Sequence, residues 1–230
     1  MKKTVLKLFA ALSAVCILTG CSGEIDSAIN ENLPIMGVAE EVLPVEFCHD
    51  VDGISIETSY QPGSNYQLED WNVTDSKTLM MSLKVVSQPI GAEVFVEHVH
   101  ADVSLAAKYQ DYNGILQDSM DDSYHGTNQP GFFVSEEYPY KECFSIEGHS
   151  QTLVQGWASM YGGSVDTVRV TESMLGSHGC IGNKIQVVYN LNIRLEGEEF
   201  FHTRTLVDEF YVASRYYLQQ EAEKATNAEQ

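Results

Sequence analysis

The stretch KIQVVYNLNIRLE, Lys184 to Glu196, decides the fold. Its odd positions, Ile185, Val187, Tyr189, Leu191, Ile193 and Leu195, are all apolar, and its even positions are polar except for Val188. Side chains alternate across a strand, so this period of two sets one face on a core and the other in water. After the turn Glu196-Gly197-Glu198 the segment EFFHTRTLVDEFYV continues as a second strand, and the two predict a hairpin. Working outward, strands are expected at Leu79–Val86, Glu93–Leu105, Cys143–Glu147, Thr152–Ser159 and Thr167–Thr171, separated by Pro89, Gly91, Gly114, Gly131, Gly148, Gly162 and Gly163.

Some seven strands with glycine and proline turns and no helical period between them predict an all-β antiparallel β-sandwich of immunoglobulin-like general type. The segment from Tyr109 to Tyr140 is expected to be a long polar loop, of a length that often carries function. The sandwich domain is placed at residues 60–213, after an acidic tether over 21–59 and before a polar tail over 214–230 that starts as a short helix. No internal repeat is visible.

The chain opens MKKTVLKLFAALSAVCILTGCSG, with Lys2, Lys3 and Lys7 ahead of an apolar run from Leu8 to Leu18 that is short for a membrane span. This is the layout of an export signal, over residues 1–20. Leu18-Thr19-Gly20-Cys21 resembles the lipobox of bacterial lipoproteins. That resemblance implies cleavage before Cys21, acyl chains on its thiol, and an extracytoplasmic protein held to the membrane by lipid at the cell surface or in the envelope. All 33 acidic residues lie beyond Cys21, and removing the signal leaves ten Lys and Arg, a net charge of about −23. Such a charge disfavours nucleic acid and anionic lipid headgroups as partners and leaves divalent cations and cationic partners compatible. Beyond Cys21 stand Cys48, Cys143 and Cys180, of which one pair at most can bridge within the chain.

Three constellations bear chemistry. SHGCIG, Ser177 to Gly182, together with His125-Gly126-Thr127-Asn128-Gln129-Pro130, resembles the SHGC and HGTNxP segments of L,D-transpeptidases, the cysteine enzymes that cross-link peptidoglycan. The resemblance implies Cys180 as nucleophile, His125 as its base, and the N–H groups of Gly179 and Cys180 as part of an oxyanion hole. LGSHGCIGNK also reads as a glycine-rich connection between strands, with Gly176, Gly179 and Gly182 at positive φ.

In VEHVHADV, Val96 to Val103, alternation puts His98, His100 and Asp102 on one strand face, where two histidines and a carboxylate can hold a divalent metal such as Zn. Asp118, Asp121 and Asp122 cluster nearby in QDSMDDSYHG and suggest Ca, although the spacing is not that of an EF-hand. Among the aromatics, Phe144, Trp157 and Tyr161 are expected in the core. Phe132, Phe133, Tyr138 and Tyr140 are expected either to form an exposed ligand patch or to close the open end of the sandwich. The leading expectation is a lipid-anchored binding or structural module, without catalysis, for a protein, peptide or glycan. A cysteine cell-wall enzyme and a metal-binding envelope protein stand as its alternatives.

Overall fold

The structure, a computed structural model, describes residues 45–63, 71–109, 112–124, 130–149 and 170–228. Among the described residues, nine strands form two antiparallel sheets. The first sheet has the order β1 (Val45–Val51), β2 (Ile54–Pro62), β3 (Lys77–Ser87), β7 (Tyr140–Ile146). The second has the order β5 (Leu116–Ser123), β4 (Glu93–Ala107), β8 (Cys180–Arg194), β9 (His202–Ala213), with β6 (Phe132–Val134) also on β4. This is the all-β sandwich that alternation predicts.

The inward faces of the two sheets make one core. Ile185, Val187, Tyr189, Leu191 and Ile193 of β8 face Ile54, Ile56 and Tyr60 of β2 and Leu79, Met81 and Leu83 of β3, and none of them is more than 1% exposed. Burying a side chain of this size is worth about 1.5–3 kcal/mol each, so this layer supplies most of the drive to fold.

The strand β4 carries a register shift between Val96 and His98. Val94 and Val96 are buried before it, and Val99, Ala101 and Val103 after it. The extra residue at the bulge, Glu97, absorbs the odd spacing, so both halves of β4 stay apolar toward the core. The shift also divides the far edge of β4, which pairs with β6 at Val94–Val96 and with β5 at His98–Ser104. Gly131 seals this junction, because a Cβ there would sit 2.3 Å from the Val96 carbonyl oxygen.

Three expectations are corrected. The folded unit begins by Val45, not near Tyr60, because β1 pairs with β2 over its whole length and Phe47 packs on the core; the residues 45–59 assigned to the tether are a strand hairpin. The long polar loop is partly strand, since β5 and β6 lie within it and β5 sends Asp121 to one face and Asp118 and Asp122 to the other. The segment before Cys180 includes a short helix, α1 (Glu172–Ser177), capped by Thr171, whose hydroxyl accepts from the Met174 N–H. The strands expected at Thr152–Ser159 and over most of Thr167–Thr171 lie outside the described residues, as do Trp157 and Tyr161. The C-terminal helix, α2 (Arg215–Ala228), runs further than the short helix expected and lays Tyr217 on Ala106 and Ile181.

Connections collect by end. Four turns, at 52–53, 88–92, 135–139 and 195–201, lie at one end, the tip. At the opposite end, the base, β1 begins, α1 enters β8, and β9 passes into α2. Trp71 is fully buried there, donating to Asn183 (3.0 Å), which in turn donates to Gln117 (2.8 Å). Lys77 lies beside it, giving its protons to the carbonyls of Asn72 and Asp75, and burial lowers its pKa to about 8. No helix among the described residues is long and apolar enough to cross a membrane.

Candidate functional site

His98, His100 and Asp102 do share the outer face of β4, and the pairing of His100 with Asp121 brings β5 to them. Asp121 Oδ1 lies 2.9 Å from His98 Nε2 and 2.9 Å from His100 Nδ1, while His100 Nε2 lies 3.1 Å from Asp102 Oδ1. A ring with a carboxylate near each nitrogen is favoured as the imidazolium, which can donate from both. Its pKa is raised, first by the hydrogen bond to Asp121 and then by Asp102, and that of Asp121 is lowered by His100 and His98. On the other side, Asn190 Nδ2 lies 3.4 Å from His98 Nδ1, and Thr205 donates to Asn190 Oδ1 at 2.9 Å. The result is a hydrogen-bonded row across β9, β8, β4 and β5.

This row holds a proton where the spacing alone suggests a metal. Both nitrogens of His100 face carboxylates, and no group of three His, Cys, Asp or Glu among the described residues is set to hold an ion. The acidic cluster is likewise dispersed by strand alternation. Asp118 accepts from the Glu147 N–H (2.7 Å) and Asp122 from Tyr140 OH (2.9 Å), whereas Asp121 turns to the histidines on the opposite face.

Cys180 opens β8 opposite Ala107, 5% exposed. Its thiol donates to the Gly182 carbonyl (3.6 Å), and burial pushes its pKa up to about 12, the reverse of what a nucleophilic thiolate requires. The Gly179 N–H donates to the Gly176 carbonyl at 2.9 Å and is not free to receive an oxyanion. Gly179 has φ +77, as a connection requires, but Gly176 is helical and admits the Tyr216 ring instead, 2.4 Å from where its Cβ would stand. His178 stacks on Tyr112. A cavity of about 320 Å³ lies beside Cys180, between α1 and α2, bordered by Lys108, Tyr216, Tyr217 and Glu221. His125 and Cys21 lie outside the described residues.

Sequence reasoning missed a buried carboxylate. Asp208 is 0% exposed and reaches from β9 across the core, where it accepts from Thr58 (2.6 Å) and from Tyr60 OH, and its other oxygen lies 2.8 Å from His49 Nε2. The signal was available: in Leu206, Asp208, Phe210, Val212 it is the polar member of the inward set, and His49 holds the same place between Phe47 and Val51.

The aromatics divide between the two expectations. Tyr140 is fully buried, and Phe132 packs on it and on Tyr124, which closes that flank. Phe133 turns outward onto Phe95 (centroids 5.5 Å apart), which also meets Phe201 (5.4 Å), with the Arg194 guanidinium 4.5 Å above Phe201. Phe144 is in the core, as expected.

The free thiols are separate. Cys48 and Cys143 sit on opposite edge strands of the first sheet, three strand spacings apart and so separated by at least about 14 Å, beyond the reach of a disulfide.

No family model and no curated protein matches this sequence. Among solved structures, a protein from Archaeoglobus fulgidus is similar at 11% identity, over 68% of this chain and 94% of that chain, with a TM-score of 0.32.

Proposed function

We propose that the protein is a lipid-anchored, extracytoplasmic binding module, tethered through Cys21 and without catalysis of its own. The observation that carries this reading is the run from Lys2 to Cys21: a basic start, an apolar stretch too short to span, and Leu18-Thr19-Gly20-Cys21 at its end. Acyl chains on one thiol hold such a protein to the membrane, and residues 22–44 are long enough to lift a sandwich clear of it. The cysteine-enzyme alternative is disfavoured at Cys180, where a buried thiol donates to a carbonyl and burial raises its pKa. The ligand class is a protein, peptide or glycan.

Growth of an expressing bacterium with an alkyne-bearing fatty acid tests the anchor. The protein should take up label in the membrane fraction, and Cys21→Ala should lose the label and the membrane fractionation together. Unlabelled protein in the cytosol would overturn the proposal. For the catalytic alternative, intact mass after exposure to a carbapenem should show no adduct, and an adduct on Cys180 would restore it.

A further inference from the structure

Among the described residues, the three most exposed large apolar side chains all stand in the turns of the tip: Ile90 (88%), Phe200 (69%) and Tyr138 (63%). The turns that carry them gather at the same end of the sandwich. Gly91, beside Ile90, lies so close to the turn that carries Phe200 that a Cβ on it would come within 2.9 Å of Glu196, and the Tyr138 turn joins the ends of β6 and β7, which pair with β4 and β3 beside Ile90. Phe133, Phe95 and Phe201 carry the apolar surface from these turns down the outer face of the second sheet. Turns need polar residues at such sites, and a cluster of large apolar ones signals a partner.

Charge selects which partner. The tip segments carry Asp52, Glu93, Glu136, Glu137, Glu196, Glu198 and Glu199. The two arginines there are already engaged, Arg194 with Glu93 and Arg204 with Asp52. An apolar patch ringed by carboxylates repels anionic lipid and a second copy of this chain, whose net charge is −20. It complements a segment whose apolar side chains are flanked by Lys or Arg. Since β1 enters the fold at the base, the tip is also the end furthest from the N-terminal junction.

We propose that the tip is a docking surface for a cationic, apolar-bearing segment of a partner protein. This rests on the binding-module reading and not on the lipid anchor, so it stands or falls independently of fatty-acid labelling.

The test is fluorescence anisotropy at physiological salt with the full chain, held in zwitterionic nanodiscs where it is acylated and free in solution where it is not. The probe is a synthetic fifteen-residue peptide of lysine, leucine and one tryptophan, and its twin has glutamate in place of lysine. Two charge variants are compared with the native chain: Glu136→Gln/Glu137→Gln/Glu196→Gln/Glu199→Gln at the tip, and Glu46→Gln/Asp75→Asn/Glu209→Gln/Glu223→Gln elsewhere, which removes the same charge. The tip variant should weaken the lysine peptide at least tenfold and the other no more than about twofold, and Ile90→Ser/Phe200→Ser should also weaken it about tenfold. Equal loss in both charge variants, binding of the glutamate twin, or indifference to Ile90→Ser/Phe200→Ser would overturn the proposal. So would preference for a neutral oligosaccharide, or for nanodiscs with anionic lipid.

Discussion

Asp208 of β9 and His49 of β1 meet at 2.8 Å across the open side of the sandwich, joining the edge strand of one sheet to the edge strand of the other. The second oxygen of Asp208 serves Thr58 and Tyr60 of β2, so one buried carboxylate ties β9 to the first two strands of the fold. A buried charge is tolerated only with such partners, and this one has three.

Asp208→Ala removes the acceptor from Thr58 and leaves Tyr60 OH with only its longer bond to Tyr189 OH (3.2 Å). It should cost about 3 kcal/mol or more in chemical denaturation. Asp208→Asn should cost less, because it keeps an oxygen for the hydroxyls and offers His49 a donor that a neutral ring can accept. Equal losses in the two variants would argue that bulk and not hydrogen bonding matters here.

The His100–Asp121 contact responds to pH in a defined window. The raised pKa of His100 means its contribution is complete below the ordinary histidine value of 6.5 and fades as pH rises through the folded value. The lowered pKa of Asp121 means its contribution is present above the ordinary 3.8 and fades as pH falls through its folded value. The interaction is therefore fullest between about pH 4 and 6.5. In NMR titration the His100 midpoint should drop on Asp121→Asn, and drop again with Asp102→Asn added; an unmoved midpoint would dissolve the row.

Thiol labelling should separate the cysteines. Cys48 and Cys143 are exposed and should alkylate within minutes at pH 8, while Cys180, buried with its pKa near 12, should react only after denaturant is added. Fast native labelling of Cys180 by peptide mass would show that the base opens.

Gly182 has no room for a methyl group. A Cβ there would stand 2.0 Å from the Val212 carbonyl oxygen, so Gly182→Ala must part β8 from β9. Thermal melting should fall by ten degrees or more, on the order expected for a few kcal/mol in a domain of this size. Ala106→Gly, on the paired strand, should cost only about 1 kcal/mol.

Much of this was legible along the chain because a strand writes its burial directly in a period of two. The ends of β3, β4 and β8 fall within a few residues of where alternation puts them. β1 and β5 escaped because edge strands bury one face only lightly; VEFCHDV and LQDSMDDS look like tether and loop until a neighbouring strand pairs with them. The row of His98, His100 and Asp102 could be read from spacing, but its chemistry could not. Asp121 comes from another strand, and the second carboxylate it places on His100 is what favours a proton on that ring.

Local order along the chain determined the sandwich, its inward faces and the acidic character of the whole, since each depends on residues one or two positions apart or on composition. The tertiary structure alone decided that Cys180 is a buried thiol, that Asp208 has partners, and that Ile90, Tyr138 and Phe200 share one end. Those facts depend on distances between residues 50 to 160 positions apart, which strand pairing sets and no local pattern records.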